Sequence, residues 1–376
     1  MADTTRASLL IADVSGYTEY VSGVELDHAQ DILADLMTTV VKALRPGFKL
    51  AKLEGDAAFV YSVKDRVDGS ILMDTIEGCY FAFRQRLRSI QQASICQCNA
   101  CSLIPGLNLK IVAHFGTVVV HKVAGRSELL GADVIMIHRL LKNTIRENAY
   151  AFISDACMDL TGLDPPALGM RRHSEAYEHV GEIGGWVLDL ERAWDAYREG
   201  KRVYIGKEEA GLAYSTFIPA PPEIVWEYIS SPQLRAQWGV GLDRVDQMDP
   251  TGRRRPGTVN HCIHGKDLIL QEFLDWRPPH YYTSKATLPN GIAIIGTHEV
   301  EAVEGGAMFH NRFEIPGPKQ PREVMDQLQQ MFDSAHPIEA ALLTELVLNA
   351  MKASVSEPEP ELPPVDEHRR LATAVG

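Results

Sequence analysis

The chain has 376 residues, of which 45% are hydrophobic, enough to bury a full core and sized for about two domains. Its net charge of -13 repels phosphate backbones and argues against a nucleic-acid partner. No apolar run approaches the roughly 18 residues that span a bilayer, and the opening MADTTRASLL lacks the long apolar stretch and small-residue cleavage site of a signal peptide. A soluble, cytoplasmic protein is expected.

Residues 8–14 read as an apolar strand that delivers Asp13 next to a Ser-Gly turn. A helix follows over about 26–44, where Ile32, Leu33, Leu36, Val40 and Val41 recur at helical spacing. Strands over 49–53 and 57–63 flank Glu54-Gly55-Asp56, a hairpin turn. Two carboxylates, Asp13 and Asp56, at adjacent strand ends are what a pair of Mg²⁺ ions needs for phosphoryl chemistry. A long helix is expected over 69–93. After a cysteine-rich loop, 109–115 and 118–123 read as a second hairpin around Gly116-Thr117. A helix over 134–143 and a strand near 150–153 complete a β-α-β-β-α-β core, an α+β fold of ferredoxin-like type extending to about residue 195.

The six cysteines do not form a disulfide framework, because Cys96, Cys98 and Cys101 crowd into CQCNAC while Cys79, Cys157 and Cys262 stand alone. Such a cluster reads as a structural Zn²⁺ clip or as reduced thiols in a loop. Three thiolates are one short of a closed tetrahedral site, and His114, His121 and Cys79 all remain open as the fourth donor.

The segments SLLIADVSGYT and KLEGDAAFV resemble the two metal-bearing segments of the class III adenylate/guanylate cyclases, in order and in context. The resemblance implies Asp13, Val14 and Asp56 as ligands of two Mg²⁺ or Mn²⁺ ions. It places Lys52 as a purine-reading residue and Glu128 as its acidic partner, a combination that favours ATP over GTP. Arg139, eight residues after Gly131, stands where the family has its transition-state Arg, and Lys110 where it has a triphosphate-binding Arg. Ile135 replaces a ribose-orienting Asn, and the Lys of the family's last hairpin has no match in GEIGGWVLDL. Family sites form at a dimer face, so the resemblance implies a homodimer with Asp13, Asp56 and Lys110 from one protomer and Lys52, Glu128 and Arg139 from its mate.

A charged connector over 196–211 separates this domain, 1–195, from a second one over 212–353. LAYSTFIPAPPEIVWEYISSPQLRAQW resembles the opening of the SRPBCC (START-like) superfamily. Strand-like stretches near 258–264, 268–276, 281–286, 292–302 and 307–314 and a long helix over 324–351 follow in the helix-grip order. The resemblance implies a cavity for a hydrophobic small molecule. Trp226, Trp238, Phe273, Trp276 and Phe313 either line it or fill the core. His261 and His264 are three apart, so on a regular strand they face opposite sides. The Pro- and Glu-rich segment 354–376 is expected to be disordered. Two functions stand side by side: a soluble cyclase tuned by a ligand in the second domain, and a cyclase-like scaffold that holds nucleotide without efficient turnover.

Overall fold

β1 (Thr4–Ser15) is buried without interruption from Ala7 to Ala12. A strand covered on both faces reads as a continuous apolar run rather than an alternation. Its neighbours supply the cover, and the computed structural model describes them within residues 4–24, 26–45, 47–63, 67–93, 99–123, 126–178, 180–316 and 322–354. The chain divides into two units, Met1–Asp68 with Thr75–Arg198, and Gly69–Asp74 with Glu199–Glu357.

In the N-terminal unit β1 is followed by α1 (Tyr17–Ser22), α2 (Leu26–Leu44), β2 (Lys49–Glu54), β3 (Ala57–Ser62) and, from Thr75 onward, α3 (Gly69–Ala93). Then come α4 (Asn99–Leu103), β4 (Asn108–Val123), β5 (Arg126–Leu130), α5 (Ala132–Leu140), β6 (Tyr150–Ser154), α6 (Asp155–Met158), β7 (Arg171–Tyr177), β8 (Gly181–Asp189) and α7 (Leu190–Glu199). The sheet runs β2-β3-β1-β4-β6-β8-β7, with β5 paired to β4. Its first four strands are antiparallel and in ferredoxin-like order. β4 and β6 are parallel, as a strand pair joined through a crossover helix must be. Ile32, Leu36, Val40 and Leu44 of α2 are buried at helical spacing, as are Met73, Ile76, Tyr80, Phe83 and Leu87 of α3. On the other face Ile137 and Leu140 of α5 pack with Leu9, Ile11, Phe59 and Val112.

One expected turn is not there. The hairpin read at Gly116-Thr117 is a single strand, β4, which runs through both residues in unbroken register with β1. The glycine has a different cause. A Cβ at Gly116 would land inside the van der Waals envelope of the Asp133 side chain, so the missing side chain leaves room for the first turn of α5. Asp133 Oδ2 accepts the Thr117 amide at 2.6 Å and Oδ1 lies 3.3 Å from His114 Nε2.

The C-terminal unit contains β9 (Leu212–Ile218), α8 (Pro222–Ser230), α9 (Pro232–Arg235), β10 (Arg244–Met248), β11 (Val259–His264), β12 (Asp267–Arg277), β13 (Tyr281–Thr287), β14 (Ala293–Val303), β15 (Gly306–Glu314) and α10 (Arg322–Ser354). Its sheet is antiparallel throughout in the order β10-β11-β12-β13-β14-β15-β9. Trp226 and Ile229 of α8, Trp238, Phe273, Trp276, Tyr282 and Phe309, and Leu343 and Val347 of α10 form one buried cluster, so the sheet grips the long helix. This is the helix-grip arrangement. Four of the five aromatic residues singled out in the sequence, Trp226, Trp238, Phe273 and Trp276, fill this core, while Phe313 stays partly exposed. The expected disordered tail lies outside the described residues from 355 onward.

Candidate functional site

Cross-strand register assembles the site. Glu54 pairs with Ala57, Ala57 with Asp13, and Asp13 with Lys110, so one row crosses β2, β3, β1 and β4, and paired residues share a face. Asp56 sits in the two-residue turn beside that row, and Gly55 at φ +70° supplies the positive φ the turn needs. The Val14 amide donates to the Asp56 carbonyl at 3.0 Å, which pins the turn to the end of β1.

Asp13 and Asp56 are thereby brought together. Burial, and then the Asp13 charge, push the Asp56 carboxyl above its ordinary value. Lys110 Nζ lies 2.8 Å from Asp13 Oδ2. Burial pulls this ammonium down, but the Asp13 hydrogen bond and charge outweigh it and hold Lys110 above its ordinary value. Lys110 therefore rests on a carboxylate in this state, where the resemblance assigned it to a triphosphate. One lysine offsets one of two adjacent carboxylates. The Asp56 carboxyl is raised by burial first and by the Asp13 charge second, and a divalent cation would supply the charge that Lys110 leaves uncompensated. The donor set fits such a cation, with Asp13 and Asp56 as its holders.

The remaining residues lie in separate contacts. Lys52 Nζ is 3.3 Å from Glu54 Oε1 and mostly solvent-exposed. Glu54 Oε2 also meets His138 Nε2 at 3.0 Å, and the His138 ring is edge-on to Phe59. Arg139 Nη1 donates to the Glu178 carbonyl at 2.6 Å. Glu128 is exposed on β5, opposite His121. Among the described residues no hydrogen bond or ion pair joins Lys52, Glu128 or Arg139 to the Asp13–Asp56–Lys110 group. Ile135 is 58% exposed and, with Val134, His138, Arg139 and Lys142, lines an open depression of about 470 Å³ along α5. Glu54 and His138 were missed in the sequence. The only signal for Glu54 is its place in KLEGD, and none exists for His138, whose partner is 84 residues away.

His114, Ser154 and Asp133 form a Ser-His-Asp chain, with His114 Nδ1 2.8 Å from Ser154 Oγ. Ser154 is 1% exposed, which closes it to any substrate, and the chain serves to tie α5 to β4 and β6. Burial, opposed by Asp133, lowers the His114 pKa.

Of the proposed zinc cluster, Cys96 and Cys98 lie outside the described residues, while Cys101 is half-buried in α4. Two of the fourth-donor candidates are otherwise engaged. Both His114 nitrogens have partners, and Cys79 is fully buried against the Val40 carbonyl, its thiol pushed up to about 12. His121 is exposed. Among the described residues no group of three or more His, Cys, Asp or Glu side chains is placed to hold a metal. None of their helices is long and apolar enough to cross a membrane.

The fold and site define a chain with a ferredoxin-like unit carrying paired carboxylates and a helix-grip unit. Residues 33–150 match the profile described as "Protein of unknown function (DUF2652)", and residues 210–336 that of "Polyketide cyclase / dehydrase and lipid transport", an SRPBCC family. The chain is 38% identical over 163 residues to the uncharacterized protein Rv2561/Rv2562 of Mycobacterium tuberculosis, an alignment covering 42% of this chain and 73% of that protein. It belongs to the same family as that protein. Among solved structures, the guanylyl cyclase Cya2 matches with a TM-score of 0.39 and 17% identity, over 50% of this chain and 92% of that one. Ara h 8.0201 matches with a TM-score of 0.30 and 17% identity, over 37% of this chain and 97% of that one.

Proposed function

We propose that the N-terminal unit is a nucleotide cyclase that converts ATP to 3′,5′-cyclic AMP and pyrophosphate in a homodimer, tuned by a small apolar molecule in the C-terminal unit. The observation that carries this reading is the Asp13–Asp56 pair, two carboxylates at adjacent strand ends, with Asp56 destabilised by burial and then by the Asp13 charge. Asp13 and Asp56, with the Val14 backbone, would hold two Mg²⁺ or Mn²⁺ ions. When bound, these neutralise the triphosphate and the charge that grows on the departing pyrophosphate.

In the reaction the ribose 3′-oxygen bonds to the α-phosphorus, the bond from that phosphorus to the bridging oxygen of the β-phosphate breaks, and the hydroxyl proton leaves to solvent. Arg139 of one protomer holds the developing charge on the α-phosphoryl oxygens, since a guanidinium fork matches two of them. Lys52 donates to an adenine ring nitrogen, and Glu128 accepts from the exocyclic amine. Lys110 exchanges its Asp13 contact for a phosphate oxygen. A second copy is invoked because, among the described residues of one chain, Lys52, Glu128 and Arg139 make no hydrogen bond or ion pair with the carboxylate pair.

A panel of nucleoside triphosphates incubated with the protein and Mn²⁺ or Mg²⁺, read by mass spectrometry, tests the reading. ATP is expected to give cyclic AMP, and Asp13→Asn or Asp56→Asn to lower the rate by orders of magnitude with the fold retained. Full activity in either variant refutes the two-carboxylate assignment.

A second reading is that the unit binds nucleotide as a sensor with little turnover. Ile135 favours it, because an apolar side chain in the α5 depression cannot orient a ribose. Nucleotide binding with no product from any triphosphate would select this reading over the first.

A further inference from the structure

The C-terminal unit is not one stretch of sequence. It takes in Gly69–Asp74, the start of α3, as well as the chain from Glu199 onward. The end of β12 holds both. Phe273 and Trp276 are three residues apart, so on a regular strand they would face opposite sides. The register of β12 with β13 shifts between Phe273 and Asp275, and this bulge turns both rings into the buried cluster, with centroids 4.8 Å apart. Asp275 and Arg277 flank Trp276 and so take the other face of the sheet.

On the core side the Trp276 indole N–H donates to Asp74, 3.3 Å from each carboxylate oxygen. Asp74 is buried and also pairs with Arg253 Nη2 at 3.4 Å. Ser70 Oγ accepts the Arg254 amide at 2.9 Å, and Ile71 packs against the cluster that contains Trp276. On the opposite face Asp275 Oδ2 accepts the Val203 amide at 3.0 Å and the Tyr281 hydroxyl at 2.8 Å, while Oδ1 accepts Arg277 Nε at 3.0 Å. Arg277 Nη2 donates to the Gly200 carbonyl at 2.9 Å, and the Ile205 amide to Thr297 Oγ1 at 2.9 Å. The charged connector is thus bonded to the sheet at Gly200, Val203 and Ile205. All these bonds lie within the C-terminal unit.

Three consecutive residues therefore grip the two segments that continue into the rest of the chain, α3 and the connector behind α7. Both grips resist release, because Asp74, Asp275 and Arg277 are buried, and a buried charge that loses a partner keeps its desolvation cost. Past Asp74 the same helix belongs to the N-terminal unit. There Ile76, Tyr80, Phe83 and Leu87 are buried, and Arg86 Nε donates to Asp35 of α2 at 2.8 Å. Each helical turn is hydrogen-bonded to the next, so a looser hold on Asp74 passes along α3 as easier opening. We propose that Asp275-Trp276-Arg277 is a clamp through which the packing of the C-terminal aromatic cluster sets the stability of α3 in the N-terminal unit. This rests on the reading that the C-terminal unit tunes the N-terminal one, and names the route. A small molecule that displaces Trp276 from the cluster loosens α3 along it.

Hydrogen exchange of the full chain, read by mass spectrometry, tests it with two variants. Asp74→Asn keeps the size of the side chain and removes its charge, whereas Trp276→Phe keeps an aromatic ring and removes the donor. Each is expected to speed exchange roughly tenfold along residues 79–90 of α3, with the β6 and β8 amides changed by less than about threefold. A rise confined to residues 70–78, or one spread evenly over the N-terminal unit, overturns the proposal. Linkage supplies the reverse leg, because coupled segments must act on each other reciprocally. Arg86→Gln cuts the tie of α3 to α2 and is expected to shift the nuclear magnetic resonance of the Trp276 indole N–H, assigned by its absence in Trp276→Phe. An unmoved indole resonance in an Arg86→Gln protein whose α3 exchanges faster overturns the route as well. No cyclase assay enters, so a protein that shows both effects and makes no cyclic nucleotide overturns the catalytic reading and leaves the clamp in place.

Discussion

Replacing Gly116 by Ala tests how the α5 segment is held. The φ of Gly116 lies outside the left-handed region, so alanine meets no backbone obstacle there, and the whole cost comes from the collision of its Cβ with the Cβ, Cγ and Oδ2 of Asp133. Asp133 must move, and with it go the Thr117 amide bond at 2.6 Å and the His114 contact at 3.3 Å. Overpacking of this kind costs about 1–3 kcal/mol, and a hydrogen bond to a charged acceptor about 1.5–3 kcal/mol, so a loss of about 3 kcal/mol from the N-terminal unit is expected. Asp133→Ala alone removes the same bonds and should cost about 2 kcal/mol. The double variant should cost little more than Asp133→Ala, because the colliding atoms are gone, leaving a coupling of about 3 kcal/mol. Hydrogen exchange of the β4 and α5 amides, read by mass spectrometry in wild type and the three variants, measures each value as a local opening free energy. Additivity of the two single effects within about 0.5 kcal/mol would refute the collision as the reason for the glycine.

Mixing Asp13→Asn and Arg139→Ala proteins tests the shared site. In a freely exchanging equal mixture about half the dimers are mixed, each with one intact site, so roughly a quarter of wild-type cyclase activity should return; no recovery despite proven exchange rules the shared site out. Lys110→Gln should tighten Mn²⁺ binding in the absence of nucleotide and weaken ATP binding, both by calorimetry, and unchanged Mn²⁺ affinity would show that the ammonium does not compete with the metal. His298 is pushed down to about 3, first by burial and then by Arg235 against Asn311, so its neutral form belongs to the fold. The unfolded chain takes up a proton below its ordinary pKa near 6.5 and the folded one does not, so stability is whole above that value and falls as pH drops toward about 3. A loss of roughly 2 kcal/mol from the C-terminal unit between pH 6.5 and 4.5 is expected by urea unfolding, and a His298→Asn protein with the same slope would count against the assignment.

What the sequence disclosed was local. β1 and the β2–β3 hairpin were legible because an apolar run ending in Asp-Val-Ser-Gly and a Gly-Asp turn each carry their signal within a few residues. β4 was misdivided because Gly-Thr in mid-strand resembles a turn, whereas the glycine answers to Asp133, a residue 17 positions later. β5, β7 and β10 passed unread: β7, RRHSEAY, is an edge strand with no buried residue, and β10 is likewise at an edge with none, so neither shows an apolar alternation. The same division holds at the site. Asp13 and Asp56 announce themselves in their own segments, but the contacts of Lys110 with Asp13 and of His138 with Glu54 depend on which strands and helices meet, and no window of sequence contains that.

On the proposed reading, the position of Lys110 links the binding of metal to the binding of nucleotide. With Lys110 on Asp13, the pair of carboxylates carries about one uncompensated charge, which adds to burial in destabilising Asp56 but is too little to draw a divalent ion strongly against the nearby ammonium. A triphosphate offers Lys110 a more negative partner. Once the ammonium moves to a phosphate oxygen, both carboxylates are freed for cations, and the phosphates themselves supply further oxygen ligands of the kind Mg²⁺ prefers. Metal and nucleotide then each strengthen the other's binding by the same factor, as linkage requires. Lys110 so placed would keep two partly buried carboxylates tolerable before nucleotide binds and would reserve the proposed metal site for the moment substrate arrives. That would reconcile its resting contact with Asp13 and the triphosphate-binding role that the family resemblance assigned to it.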